Sequence, residues 1–155
     1  MPKKLYYSAG IYTALGLLGG LFYREFTHAR EFVGATQLAV VHTHLLVLGT
    51  IFMLMLLALE KLFDLGEQKS FRVFFWLYNI GLIITVGMQT TLGIMTVLDH
   101  GVKPEIPMLS GISGLGHMLL TAALIALFTA LGKRIKLEPH LPSSRPATAA
   151  HLRPR

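Results

Sequence analysis

Residues 35–59 read ATQLAVVHTHLLVLGTIFMLMLLAL, without a single Asp, Glu, Lys or Arg. A helix of this length and composition can cross the hydrocarbon core of a bilayer, which takes about 20 apolar residues. Three further segments, 6–23, 73–98 and 108–131, are also free of these charged residues. The sequence therefore predicts an all-α integral membrane protein that crosses the bilayer four times. The short connections between the segments favour a four-helix up-down bundle.

Composition agrees with a membrane protein and argues against a soluble domain. Hydrophobic residues make up 53% of the chain and charged residues 14%, whereas about a quarter of the residues in a soluble domain are charged. Cysteine is absent, which excludes disulfides and thiolate metal ligands. The first apolar segment has no cleavage site of the A-x-A type, so we expect it to remain as a helix.

The distribution of basic residues predicts the orientation of the chain. The net charge is +6, which by itself would also suit a nucleic-acid-binding protein. Of the 14 basic residues, only Arg24, Arg30 and Lys103 lie in the first and third connections. The others flank the two termini and the second connection, and the positive-inside rule then places both termini in the cytoplasm. We therefore expect a lipid bilayer, and no nucleic acid, as the partner of these charges.

The chain divides into a transmembrane domain, residues 1–136, and a tail, residues 137–155. The tail is basic, contains four prolines and has no apolar periodicity. Segments of this composition do not bury enough apolar surface to fold. The sequence predicts a disordered cytoplasmic tail.

Three histidines fall inside the predicted spans, where ionisable residues are costly and are functional candidates. His44 and His117 each lie about nine residues from the outer end of their helix, a depth on the order of 13 Å at 1.5 Å per residue. Gln89 and Met88 lie at a similar distance from the outer end of the third helix. We therefore predict one polar layer in the outer half of the bundle, built from His44, His117, Gln89 and Met88.

The spacing of small and polar residues supports this layer. On the fourth helix one stripe at three- and four-residue spacing contains Ser110, Ser113, Gly114, His117 and Thr121. A stripe of this kind is expected to face inward in a membrane bundle, and its small residues allow either close helix packing or room for a flat cofactor. We accordingly include Gly114 among the candidate cofactor-binding residues.

His42 and His44 differ by about 200° around a regular helix. The two rings therefore point to opposite sides and serve two sites, or one site and one hydrogen bond. A ligating imidazole needs a partner for its other nitrogen, which Thr43, Gln37 or a backbone carbonyl could supply. If His42 faces the outside of the bundle, a homodimer would complete a second site and bury the ring.

Two resemblances follow from these residues. The run VVHTHLLVLG, residues 40–49, resembles the helix of haem-copper oxidase catalytic subunits that carries two haem ligands. The chain lacks the copper-site histidine motifs of that family, so we do not expect a complete oxidase. Residues 4–132 also resemble a family of small bacterial four-helix membrane proteins of unknown function. That resemblance rests on KLYYS (4–8), FYREF (22–26), VHTHLL (41–46), LEKLF (59–63) and GLGHMLLT (114–121), and it implies the bacterial cytoplasmic membrane.

Our leading hypothesis is a membrane protein that binds haem b through His117 and either His44 or His42. Two axial imidazoles leave no open iron position and favour electron transfer or haem handling with a redox partner. A second hypothesis is a copper or zinc site for metal transport, sensing or oxidase assembly, because imidazole suits both metals. A third is a structural subunit whose histidines only hydrogen-bond between helices. We see no nucleophile–base set, and expect a cytochrome-like or binding protein rather than a stand-alone enzyme.

Overall fold

A computed structural model of the chain describes residues 1–102 and 107–137. Four long helices account for most of this part of the chain, and no strand occurs in it. They are α1 (Pro2–Ala29), α2 (Leu38–Phe63), α3 (Lys69–Leu98) and α4 (Pro107–Leu137). All four are long and apolar enough to cross a membrane, which supports the predicted multi-pass membrane protein. The tail beyond residue 137, predicted to be disordered, lies outside the described residues.

The helices are longer than the apolar segments that revealed them. α1 begins at Pro2 and continues past the predicted end at residue 23 to Ala29. Proline is well tolerated in the first turn, where its missing N–H has no helical partner to lose. Hydropathy marks where the hydrocarbon core ends, whereas a helix continues through the polar interface until a residue leaves helical geometry. α2 ends in this way at Asp64, which adopts a left-handed conformation with φ of 48°.

Consecutive helices run antiparallel, as the short connections predict. α1 packs along α2, α4 packs along α3, and α2 and α3 pack against each other. One end of the bundle, here called the basic end, holds residues 1–4, 64–68 and 133–137. The opposite end, here called the far end, holds residues 30–37 and 99–102. The predicted cytoplasmic position of the basic end is a matter of membrane orientation and stays a prediction.

Glycines set the closeness of the helix pairs. Gly16 of α1 packs on Leu46 of α2, and Gly49 of α2 packs on the ring of Tyr12, so that a Cβ at either position would lie within 3.0 Å of a side chain. Gly116 of α4 packs in the same manner on α3. Small residues allow this backbone approach, which supplies the van der Waals contact that holds membrane helices together.

α2 contains a π-helical stretch, Leu45–Ile51, directly after His44. The Tyr78 hydroxyl of α3 donates a hydrogen bond of 3.0 Å to the carbonyl of Leu48 within this stretch. A side chain that inserts into the backbone ladder is a known cause of such irregular turns. Because no water is available in a bilayer core, a carbonyl there needs a protein donor, and the tyrosine provides one for Leu48.

At the basic end, side chains of Glu60 and Arg134 form hydrogen bonds with the connection between α2 and α3. Glu60 is 7% exposed and accepts a hydrogen bond of 2.5 Å from the backbone N–H of Gly66. Arg134 of α4 donates to the carbonyl of Asp64 over 2.8 Å and pairs with the Glu67 carboxylate. These bonds attach the last turns of α4 to the α2–α3 connection.

Candidate functional site

The His44 ring is held by hydrogen bonds to both of its nitrogens. Its Nδ1 lies 2.8 Å from the carbonyl oxygen of Val40, one turn earlier in α2. A carbonyl only accepts, so Nδ1 carries the hydrogen, and the neutral ring keeps its lone pair on Nε2. The Nε2 atom lies 3.1 Å from the side-chain nitrogen of Gln89, which donates to that lone pair. His44 therefore presents a basic nitrogen towards α3.

His117 repeats this arrangement on α4. Its Nδ1 lies 3.1 Å from the carbonyl oxygen of Ser113, again one turn earlier. By the same argument the hydrogen is on Nδ1, and in the neutral tautomer of the ring the lone pair is then on Nε2. The ring itself is exposed on the single chain. Two histidines on different helices thus share one tautomer, which is fixed by a backbone carbonyl four residues before each ring.

The two histidines do not lie at one level. Gly116 packs against Thr85 and Gly81 of α3, whereas His44 contacts Gln89, which is four residues closer to the far end. One helical turn rises about 5.4 Å, so His117 lies roughly one turn deeper than His44. The estimate from the sequence counted residues from the end of each helix. It missed this offset because the shift of one helix along another is set by contacts between them, such as that of Gly116.

The predicted inward orientation of the α4 stripe is wrong for a single chain. Gly114 is exposed and has no atom within 4 Å of the position that a Cβ would take. His117 and Thr121 are also exposed. The buried positions of α4 are instead Gly116, Ala123, Leu127 and Ala130. These residues are small or apolar and pack on α3, so the polar stripe is turned to one edge of that interface.

His42 and His44 contact different helices, as their spacing predicts. The His42 ring packs beside Gly20 of α1, where a glycine Cβ would lie 3.6 Å from the imidazole Cγ. Its Nδ1 is buried and has no hydrogen-bond partner among the described residues. Because His42 faces α1 of the same chain, it does not provide the outward-facing ring on which the predicted second site of a homodimer depended.

Met88 and the histidines outside the predicted spans lie apart from these two rings. Met88 is half-buried on α3 and lies about 100° around the helix from Gln89. His28 and His100 are exposed at the far end. Within residues 1–102 and 107–137, no three His, Asp or Glu side chains form a group that could hold a metal ion. The candidate imidazole ligands of the described residues therefore do not belong to a group of three, and they come from α2 and α4.

A separate groove runs between α1, α2 and α3 in the half of the bundle near the far end. Its volume is about 400 Å³, and its walls include Leu18, Phe22, Val41, Leu45 and Val86. None of the three membrane histidines lines it. The groove is apolar and lies on the α1 side of the bundle, so it is distinct from the surroundings of His44 and His117.

Sequence inspection missed the groups that orient the rings. The carbonyls of Val40 and Ser113 fix the two tautomers, but every helical residue has a carbonyl four positions before it, so no sequence signal marks these two. The π-helical stretch after His44 was also missed. The only hint of an unusual feature in this stretch is Gly49, which lies opposite Tyr12. A glycine within an apolar span indicates close approach of another helix.

Comparison with known proteins places the chain in a family without assigning an activity. Neither the characterised proteins nor the solved structures gave a significant match to this chain. The profile described as "Protein of unknown function (DUF2871)" matches residues 2–134. That match includes all four helices apart from the last residues of α4, and the chain therefore belongs to the DUF2871 family.

Proposed function

We propose that this protein binds haem b, with His44 and His117 as the two axial ligands, and that it transfers electrons or handles haem within the membrane. The observation that carries the proposal is the shared state of the two rings. Each donates its Nδ1 hydrogen to a backbone carbonyl, which leaves Nε2 as the nitrogen that would bind a metal. Histidines that ligate metals almost always bond their other nitrogen to such an acceptor, which fixes the tautomer and raises the basicity of the ligand.

Helix geometry supports a common location for the rings. His42 contacts α1, so His44, about 200° away around α2, projects on the side away from α1 and towards α3. On α4, His117 follows the α3 contact at Gly116 by about 100°, and the right-handed sense of the helix puts it on the edge nearer to α2. We infer that both rings border one cleft between α2 and α4, with Gln89 at its base.

The open space beside this cleft supports the haem proposal. The exposed Gly114 leaves open space on α4, and a flat macrocycle needs such space beside its ligands. Gln89 occupies the Nε2 lone pair of His44 and would have to release it to an iron. A bound haem would supply reversible one-electron chemistry, and two imidazole ligands leave no iron position for a substrate. Gln89 would then keep His44 oriented whenever no haem is bound.

The proposed orientation of the protein in the membrane follows from the distribution of its basic residues. The basic end carries most of the basic residues, and we propose that it faces the cytoplasm of a bacterial cell, with the haem in the outer half of the cytoplasmic membrane. A redox partner would then reach the cofactor through the membrane or from the outer side. We also propose a homodimer, because the exposed part of the α4 stripe around Thr121 is free to contact a second copy and small polar residues allow close helix contact in membranes.

A visible spectrum of the protein purified in mild detergent, from cells grown with added haem precursor, tests this function. We expect a strong Soret band, with sharp α and β bands after reduction. A colourless preparation with stoichiometric copper or zinc would overturn the haem proposal in favour of a metal site. A preparation with neither haem nor metal would leave the histidines as structural hydrogen-bonding residues.

A further inference from the structure

The first turns of α3 carry a shallow pocket on the membrane-facing surface of the basic end. Its lining residues are Lys69, Arg72, Val73, Trp76 and Leu77, and its volume is about 490 Å³. Their spacing of three and four residues places them on one stripe of the helix. The two cations come first, at the end of the helix, and the apolar residues follow one and two turns deeper. Along the helix axis the two charged residues thus come first, and the apolar and aromatic residues follow.

The cations of this pocket are not neutralised by carboxylates. Among the described residues, ion pairs within 4.0 Å join Arg24 with Glu25 and Arg134 with Glu67, so Lys69 and Arg72 have no such partner there. Both are exposed. A third cation comes from α1, because the Lys4 ammonium lies 5.5 Å from the centroid of the Trp76 ring. Cation–π attraction of this kind holds a lysine near an aromatic face.

Trp76 marks the depth of the pocket in the bilayer. Its side chain is 58% exposed, and tryptophan prefers the boundary between headgroups and hydrocarbon, where one part of the ring is wet and the other apolar. Because side chains on a helix lean towards its N-terminus, the charged groups of Lys69 and Arg72 then lie among headgroups, and the apolar side chains of Val73 and Leu77 lie beside acyl chains. The cations therefore meet phosphates, and the apolar residues meet lipid tails, at one continuous surface.

We propose that this pocket is a specific site for an anionic phospholipid. Its phosphate would be bound by Lys69 and Arg72, with Lys4 closing the site from α1, and its acyl chains would lie on Val73 and Leu77. A guanidinium is suited to two parallel hydrogen bonds with phosphate oxygens, and an ammonium adds a point charge. The apolar surface one turn deeper distinguishes a lipid from free inorganic phosphate, because only the lipid gains from that contact. The site is independent of the histidines and of any haem.

Native mass spectrometry of the full chain in detergent tests the site. Phosphatidylglycerol is titrated in and compared with phosphatidylcholine of the same acyl chains, for the wild type, the double variant Lys69→Gln/Arg72→Gln, and the control Lys61→Gln. Lys61 is exposed at the same end of the bundle but does not line the pocket. Each basic residue near an anionic headgroup is worth about fivefold in affinity, so the double variant is expected to lose roughly 25-fold.

The outcomes separate a specific site from general charge attraction. Retention of phosphatidylglycerol by the wild type and by Lys61→Gln, with loss in the double variant and weak retention of phosphatidylcholine, is the expected result. Equal retention by the double variant would overturn the site. An equal loss in Lys61→Gln would also overturn it, because net charge would then explain the binding. Displacement of the lipid by inorganic phosphate at equal concentration would refute the contribution of Val73 and Leu77.

Discussion

Replacing Gly116 by alanine should weaken the contact between α3 and α4. An added Cβ would lie 2.5 Å from the Thr85 hydroxyl oxygen, 3.1 Å from the Thr85 backbone nitrogen and 3.2 Å from the Gly81 carbonyl oxygen. Thr85 is 1% exposed, and its hydroxyl already donates to the Gly81 carbonyl over 2.9 Å. Rotating the hydroxyl would break that bond, and the two backbone atoms can yield only if the helices move apart.

Two terms of opposite sign set the size of the effect. Overpacking of a well-packed interface typically costs about 1–3 kcal/mol. Alanine in place of glycine in a helix returns about 0.5–1 kcal/mol, because the unfolded chain loses less backbone freedom on folding. The free energy of unfolding of Gly116→Ala should therefore fall by up to about 2.5 kcal/mol. The matched control is Gly114→Ala, two residues away, where no atom lies within 4 Å of the added Cβ.

The assay is reversible unfolding in dodecyl maltoside by added sodium dodecyl sulfate, followed by far-ultraviolet circular dichroism. Gly114→Ala should be as stable as the wild type or more stable by up to about 1 kcal/mol. The two variants should thus differ by roughly 1–3 kcal/mol in unfolding free energy. If Gly114→Ala were the less stable variant, α4 would pack through the stripe that contains His117, and the assignment of its buried face to Gly116 would be refuted.

Three further substitutions test individual contacts. Gln89→Leu should lower the stability of the haem-free protein by about 0.6 kcal/mol, typical of a hydrogen bond between membrane helices, and should not weaken haem binding, because iron replaces Gln89 at His44. Tyr78→Phe removes the donor to the Leu48 carbonyl and should cost about 0.5–1.5 kcal/mol, with faster amide exchange in residues 45–51. Arg134→Gln should cost at most about 1 kcal/mol, since its carboxylate partner is largely exposed and screened by solvent, but should speed amide exchange in the last turns of α4.

Tyr78→Phe and Arg134→Gln each have a matched control. Tyr6→Phe changes an exposed hydroxyl and should leave both stability and exchange near the π-helical stretch unchanged. Lys133→Gln removes an exposed neighbouring charge and should leave exchange in α4 unaltered. Effects of equal size in a variant and its control would show that the named hydrogen bond is not the cause. A loss of haem in Gln89→Leu would contradict the view that Gln89 only occupies His44 in the empty site.

The sequence predicted the membrane fold because hydropathy alone decides it. Residues 35–59 and three similar segments are long and apolar enough to cross a membrane, and short connections leave little choice but antiparallel neighbours. It also predicted that His42 and His44 contact different helices, since the 200° separation is a property of any regular helix. Both conclusions depend on properties of a single chain segment, namely its hydropathy and the regular turn of its helix.

The arrangement of α4 could not be predicted in the same way. Gly114 and Gly116 are both small, and either could have faced α3; which one does depends on the shape of the partner surface at Gly81 and Thr85. A polar stripe normally faces inward because hydrocarbon solvates it badly, yet here the close approach at Gly116 turns the stripe with His117 to the edge of the interface. The ring tautomers depend equally on backbone carbonyls that no residue type reveals.

The central claim is that His44 and His117 are the two ligands of one haem iron. Electron paramagnetic resonance and visible spectra of the purified protein, reconstituted with hemin, test it in the wild type, His44→Ala and His117→Ala, with His28→Ala as the control because His28 is exposed at the end of α1. We predict a low-spin bis-imidazole iron in the wild type and the control, and its loss in either single variant. An unchanged low-spin spectrum in His117→Ala, or a wild type that takes up no haem, would contradict the claim.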